Sequence, residues 1–102
     1  MSDITAESTP EPVVTHNDEL HRFEVHLGHE LAGFIDYTHT DDVLDLTHTE
    51  VDPAFGGKGI GGTLVKGALD LIRGEGGLTI VPTCPFVATF IKRNPEYADL
   101  VA

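Results

Sequence analysis

Three stretches in the first half of the chain alternate apolar and polar residues, the pattern of strands that are half-buried in a sheet. They cover residues 21–27, 31–38 and 43–51, and two short turns, at 28–30 and 41–42, separate them. Short connections of this kind join antiparallel neighbours. The pattern therefore predicts an antiparallel meander of three strands.

The second half of the chain has a different period. A glycine-rich loop over 52–62 is followed by apolar residues at helical spacing, which are Ile60, Leu64, Val65, Ala68, Leu71 and Ile72. An uncharged strand at 78–81 and a helix that opens at Pro85 follow. The order predicts an α+β fold, with a meander, a β-α-β unit whose strands are parallel, and a C-terminal helix.

The length of 102 residues has room for one domain. Residues 1–17 are polar and include neither Lys nor Arg. They predict a loose N-terminal tail, with a candidate short strand at 13–15, ahead of a single domain over 18–102.

The charge is negative and unevenly distributed. The chain has 17 acidic and 6 basic residues, a net charge of −11, and residues 1–55 contain only one of the bases, Arg22. This balance argues against a nucleic-acid or anionic-membrane binder. It favours a cationic or neutral partner, or serves solubility alone, and a halophilic source would give the same excess of acids. An anionic ligand would bind in the second half, which holds the other bases and most of the glycines.

The cysteine and histidine content limits the kinds of site further. Cys84 is the only cysteine, which excludes an internal disulfide and a Cys-rich zinc site, and the six histidines have no metal-ligand spacing, so no metal site is expected. The sequence shows neither an apolar run of about 20 residues nor a secretory leader. These features predict a cytoplasmic, reduced protein.

The loop between the third strand and the first helix is the most informative segment. Five glycines in seven residues free the backbone to approach a ligand, and the following helix N-terminus favours an anion such as phosphate. A P-loop is excluded because Gly62 precedes Thr63, where Lys would be needed. A dinucleotide fingerprint lacks the acidic residue expected after the next strand, where Pro82-Thr83-Cys84 stands.

The same loop resembles motif A of the GNAT acyltransferase superfamily, usually Arg/Gln-x-x-Gly-x-Gly/Ala. The match is Gly56-x-x-Gly59-x-Gly61, after a strand that ends Val51-Asp52-Pro53. Gly56 departs from the usual Arg or Gln, which implies lower affinity for the cofactor rather than its loss.

A narrower resemblance covers most of the chain. The run His48-Thr49-Glu50-Val51, the glycine loop, the segment 82–87 and the segment 94–101 resemble the short, stand-alone YjdJ-type proteins of that superfamily. The resemblance implies a minimal acetyltransferase fold that binds acetyl-CoA between two splayed parallel strands. It implies N-acetylation of a small amine or a protein lysine, and leaves the acceptor and the oligomeric state open.

The resemblance also implies which residues contact acetyl-CoA. They come from the end of the third strand and from the loop: Thr49, Val51, Gly56, Gly57, Lys58, Gly59, Ile60, Gly61, Gly62 and Thr63.

Three side chains are candidates for the chemistry. His48 and Glu50 are two residues apart on one strand, so they share a face and either could be the base for the amine proton. Cys84 precedes Pro85 at a helix N-terminus, where the dipole favours a thiolate, and could be a nucleophile or an acid. Each also has a structural interpretation: a packed histidine, an exposed carboxylate and a small buried apolar side chain.

One departure from the superfamily favours an alternative function. The usual acid is a Tyr in a Phe-Tyr pair late in the last helix, and Phe90-Ile91 stands there in this chain, with Tyr97 further on. The alternative is a non-catalytic acyl-CoA-binding or interaction module.

Overall fold

A computed structural model describes residues 11–56 and 59–102. Within this part of the chain, five strands and two α-helices follow each other as β1 (Pro12–Asn17), β2 (Arg22–Leu27), β3 (Glu30–Thr40), β4 (Val43–Val51), α1 (Ile60–Glu75), β5 (Thr79–Val81) and α2 (Pro85–Arg93). Short 3-10 helices at Pro53–Phe55 and Pro95–Leu100 complete it. The strands form one sheet in chain order, and only the β4–β5 pair is parallel within it. The predicted α+β fold is confirmed.

Strand β1 corrects the prediction for the N-terminal region. Residues 12–17 pair with β2 along their whole length, from Pro12 opposite Leu27 to Asn17 opposite Arg22. The sheet therefore begins at Pro12, inside the expected tail over 1–17 and ahead of the expected domain start at 18. Residues 1–10 lie outside the described residues.

Helix α1 packs on one face of the sheet. Its buried residues are Ile60, Leu64, Val65, Ala68, Leu69 and Ile72. Leu71, which the helical spacing assigned to the apolar stripe, is 39% exposed, and Leu69 is fully buried instead. The stripe is therefore rotated by part of a turn toward Leu69.

Strand β4 changes face at a β-bulge. Asp36 of β3 pairs with His48 while its neighbour Tyr37 pairs with Leu46, so Thr47 is an extra residue on β4. Before the bulge, Leu46 faces α1. After it, Thr49 faces α1, opposite buried Ile35, because side chains directly opposite each other share a face.

Strands β4 and β5 separate after a short parallel pairing. The pairing runs from Val43–Thr79 to Asp45–Val81. The backbone N–H of Cys84 then donates to the carbonyl of Leu46, at 2.8 Å, and the chain turns into α2 while β4 continues to its end. The splayed parallel strands expected from the sequence are present, and they leave an opening beside the last residues of β4.

Candidate functional site

Backbone N–H groups of β4 point into the opening between β4 and β5. On the other side, Asp52 N–H donates to the carbonyl of Ala32 in β3, at 2.8 Å. Since these groups alternate along a strand, the N–H groups of Thr49 and Val51 point toward β5. The N–H of Thr49 binds the sulfur of Cys84 there, which leaves Val51 as the donor nearest the loop.

Helix α1 begins at the floor of an open groove of about 320 Å³, which Val51, Phe55 and Phe86 line with the loop glycines. The N-cap, Gly59, has φ +71° and provides no capping side chain. The first bond within the helix joins Thr63 N–H to Gly59. The N–H groups of the three preceding residues are therefore available at the groove, and the helix dipole adds positive potential.

The loop glycines differ in what surrounds them. A Cβ on Gly61 would lie 2.7 Å from the Phe86 ring, so this glycine lets the ring pack on the helix. A Cβ on Gly59 or Gly62 would enter open space. These two positions are therefore the ones where a ligand can approach the backbone. Gly56 donates its N–H to Pro53, and Gly57 and Lys58 lie outside the described residues.

Cys84 lies where β4 and β5 part, at the N-cap of α2, and is 5% exposed. Its sulfur is 3.3 Å from the hydroxyl oxygen of Thr49. Burial opposes the thiolate, but the Thr49 hydroxyl and the backbone N–H groups of Val87, Phe86 and Thr49 outweigh it. Together they lower the pKa of the Cys84 thiol below its ordinary value. The site thus stabilises negative charge on sulfur.

His48 and Glu50 face the opposite side of the sheet. His48 Nε2 lies 3.8 Å from Glu50 Oε1, and the two side chains are 58% and 62% exposed. The prediction that they share a face is confirmed. The structure brings these two candidates together and places Cys84 on the other face, because the bulge at Thr47 reverses the alternation of β4.

A second groove, of about 370 Å³, lies beside Glu50. Its lining includes Leu31, Phe34, Glu50, Val51, Asp52 and Pro53. The sequence pattern did not indicate Phe34 or Asp52 as site residues. Phe34 stands opposite Glu50 on β3, and Asp52 directly follows β4. Their position at the groove depends on the register between β3 and β4, which the sequence pattern does not show.

Tyr97 and Arg73 are engaged away from the glycine groove. The hydroxyl of Tyr97 donates to Asp70 of α1, at 2.7 Å, and Tyr97 is 5% exposed. Arg73, near the C-terminal end of α1, forms a fork to Asp99 with bonds of 3.0 and 2.9 Å. Both therefore tie the C-terminal segment to α1 rather than line the glycine groove.

Over 11–56 and 59–102, no helix is long and apolar enough to cross a membrane. Over the same ranges, His, Cys, Asp and Glu side chains form no group of three that could hold a metal ion.

Comparison with known proteins indicates the same family as the resemblance of the glycine loop. A family model described as GCN5-related N-acetyl-transferase matches residues 22–100. Protein NATD1 of Bos taurus is 36% identical over 84 residues, which cover 80% of this chain and 74% of that protein. Protein NATD1 of Homo sapiens is 34% identical over 84 residues, which cover 80% of this chain and 74% of that protein.

A solved structure shares the fold. A GCN5-like protein from Staphylococcus aureus, determined by NMR, superposes with a TM-score of 0.64 at 23% identity, covering 88% of this chain and 87% of the other. The family match spans every element from β2 to the C-terminal 3-10 helix. The chain belongs to the GCN5-related N-acetyltransferase family.

Proposed function

We propose that this protein transfers the acetyl group of acetyl-CoA to the nitrogen of a cationic amine. One observation carries the proposal. The glycine groove and the groove beside Glu50 both include Val51 in their linings, so two separate clefts meet at the end of β4. A transferase for two substrates needs this arrangement, because donor and acceptor must touch at one point.

The glycine groove fits acetyl-CoA. The N–H groups of Ile60, Gly61 and Gly62 would bind the pyrophosphate, and the open space above Gly59 and Gly62 admits it. Lys58, Gly57 and Thr63 are expected to add contacts from the loop and helix. When bound, acetyl-CoA supplies an acetyl group activated as a thioester. The N–H of Val51 would bind the acetyl carbonyl oxygen, where negative charge develops.

The groove beside Glu50 fits a cationic acceptor. Glu50 and Asp52 place two carboxylates on its lining, and Phe34 adds an aromatic surface. Carboxylates attract a protonated amine. The Arg22 guanidinium lies over the Phe34 ring, 4.7 Å from its centroid, so this ring contributes apolar contact to the groove. The acceptor must be deprotonated before it reacts, and the His48–Glu50 pair is the base available at this face.

The proposed reaction exchanges one bond for another. The protonated amine loses one proton before it attacks and a second as the C–N bond forms and the thioester C–S bond breaks. The His48–Glu50 pair accepts these protons in turn and releases them to solvent. The departing sulfur requires a proton, and Cys84 is the candidate to provide it. A proton-exchanging role fits Cys84 better than a covalent relay, because a relay needs an exposed sulfur and this one is 5% exposed.

The donor site is tested by thermal unfolding with acetyl-CoA, with NAD and ATP as controls. A ligand at 100 times its dissociation constant stabilises by about 2.7 kcal/mol, which raises the Tm by on the order of 10 °C. Gly62→Ala should weaken acetyl-CoA binding about tenfold or more, since its Cβ enters the space assigned to the ligand.

Gly74→Ala is the matched control. Gly74 also lies in α1 with open space beside it, but near the other end of the helix. It should bind acetyl-CoA as the wild type does. Equal binding by the Gly62 and Gly74 variants, or an equal Tm shift with NAD, would refute the donor site.

The acceptor and the chemistry are tested by CoA release with polyamines, amino acids and Lys-containing peptides. Glu50→Gln and His48→Gln should each lower kcat/KM about 100-fold, in line with loss of a general base. Glu96→Gln, which changes an exposed carboxylate in the C-terminal 3-10 helix, should not. Binding of acetyl-CoA without turnover on any amine would favour the acyl-CoA-binding module, which the engagement of Tyr97 with Asp70 makes the second candidate.

A further inference from the structure

A cavity of about 340 Å³ lies at the end of the sheet opposite the glycine loop. It will be called the distal cavity, and its lining includes His16, Asp18, Phe23, Tyr37, Leu44 and Glu75. Leu44 is seven residues before Val51 on β4, about 23 Å along the strand. The distal cavity is therefore separate from both grooves at the end of β4.

Aromatic rings form one wall of the distal cavity. The His16 ring stacks on Phe23 with centroids 4.5 Å apart, and Tyr37 lies 5.4 Å from Phe23. His39 meets the Tyr37 ring edge-on at 6.5 Å, and it also lines the cavity. Phe23 and Tyr37 are 1% and 4% exposed, so they form the back of this wall, whereas His16 and His39 are exposed. An aromatic wall is a common recognition surface for an organic cation.

Two carboxylates provide the charge at this cavity. Asp18 Oδ1 accepts a hydrogen bond from the Tyr37 hydroxyl, at 3.4 Å, and Glu75 lies at the C-terminal end of α1. Burial raises the pKa of Tyr37 to about 12, and the charges of Asp18 and Glu75 add to the increase. The described lining residues include neither Lys nor Arg. The electrostatic potential is therefore negative, and the helix C-terminus strengthens it.

We propose that the distal cavity binds a small organic cation with an alkyl or aryl body and a protonated or quaternary nitrogen. The apolar floor, which includes Leu44, Leu71 and Ile72, accommodates the body, and the rings with Asp18 and Glu75 hold the nitrogen. The volume matches a small-molecule site, with mostly apolar walls and a few polar groups. This site is independent of the proposed transferase activity.

The test is an NMR titration of the full chain with choline and with 3,3-dimethylbutan-1-ol, which replaces the nitrogen by carbon. Choline has no acylatable nitrogen, so its binding does not depend on acceptor chemistry. Amide shifts should cluster around Tyr37, Leu44 and Leu78, and choline should bind about tenfold more tightly than the uncharged compound.

Variants locate the charge. Asp18→Asn with Glu75→Gln should weaken choline binding about fivefold. Glu30→Gln with Glu96→Gln changes the net charge equally at two exposed positions elsewhere and should leave binding unchanged. Equal affinity for the two compounds, shifts confined to Phe34 and Glu50, or equal losses in both double variants would each overturn the proposal.

Discussion

At the scale of single residues, Thr49 and Cys84 show how a side chain acquires chemistry from its surroundings. The Thr49 hydroxyl and three backbone N–H groups surround a thiol that burial alone would keep protonated. Their hydrogen bonds stabilise the thiolate. The helix N-terminus was visible in the sequence, whereas the contact between residues 49 and 84 depends on the bulge that turns Thr49 inward.

Thr49→Val should move the ionisation of Cys84 to higher pH. The substitution removes the hydroxyl and keeps the shape, so the pKa of the thiol should rise toward its ordinary value. The pH midpoint of the change in the Cys84 Cβ chemical shift measures it without requiring reagent access, and Cys84 is the only cysteine in the sequence. Thr49→Ser, which keeps the hydroxyl, should retain the wild-type midpoint, and a shift in the Ser variant alone would contradict the assignment.

Glu24 joins β1 and β2 through its carboxylate. It accepts hydrogen bonds from Arg22 Nε at 2.7 Å and from Asn17 Nδ2 at 3.0 Å, and its side chain is 10% exposed. Burial would raise the pKa of Glu24, but the bonds from Arg22 and Asn17 outweigh burial and lower it. Since the pKa is lower in the folded state, this stability is present above the unfolded pKa, about 4.3, and is lost as the pH falls through the folded value.

Glu24→Gln should therefore destabilise the fold at pH 7 by about 1–3 kcal/mol. The difference from the wild type should shrink as the pH falls below about 4, where the wild-type carboxylate is also protonated. Urea unfolding between pH 3 and pH 7 measures both. The exposed Glu30→Gln serves as control, and a difference that is constant across this pH range would show that charge on Glu24 is not involved.

At the scale of elements, Gly67 fixes the contact between α1 and β1. A Cβ at this position would lie 2.6 Å from Val14 Cγ2 and 2.7 Å from Val14 Cβ. The strand can lie on the helix only because residue 67 has no side chain. This contact lets α1 cover residues 12–17, whose pairing with β2 the polar composition of the N-terminal region did not indicate.

Gly67→Ala should lower the free energy of unfolding by about 1–3 kcal/mol through overpacking. Gly74→Ala, in the same helix with open space beside it, should raise it by about 0.5–1 kcal/mol. Thermal or urea unfolding distinguishes the two. Adding Val14→Ala should recover part of the loss in the Gly67 variant, and equal stability of the two glycine variants would show that the strand yields without cost.

At the scale of the whole molecule, the net charge of −11 opposes compact folding. Ion pairs in the described residues include Lys66–Asp70 and Arg73–Asp99. The acids outnumber the bases, so most carboxylates have no basic residue to pair with. Excess carboxylates therefore remain at the surface and repel each other. The same excess supplies the negative potential at the groove beside Glu50 and at the distal cavity.

Increasing NaCl from about 20 to 200 mM should raise the Tm, because the Debye length falls and screening reduces the repulsion. The increase should level off above about 0.2 M. Differential scanning calorimetry at a series of salt concentrations measures it. A Tm that falls with salt would show that attractive ion pairs outweigh the repulsion.

The sequence by itself determined the element order from β2 onward, the glycine loop and the family. Local periodicity or a short motif indicates each of these features, so none of them depends on contacts between distant residues. Periodicity did not determine which leucine of α1 is buried. Helical spacing allows either Leu69 or Leu71 on the apolar stripe, and packing against the sheet buries Leu69.

Only the tertiary structure decided the arrangement of the candidate chemical groups. The bulge at Thr47 depends on the register with β3, and it places His48 and Glu50 on one face and Thr49, with Cys84, on the other. The partners of Tyr97 and Arg73 likewise lie more than 20 residues away along the chain. Periodicity within one strand cannot show a β-bulge, because a bulge depends on the register with the neighbouring strand. Nor can it show which distant side chain a polar group will contact.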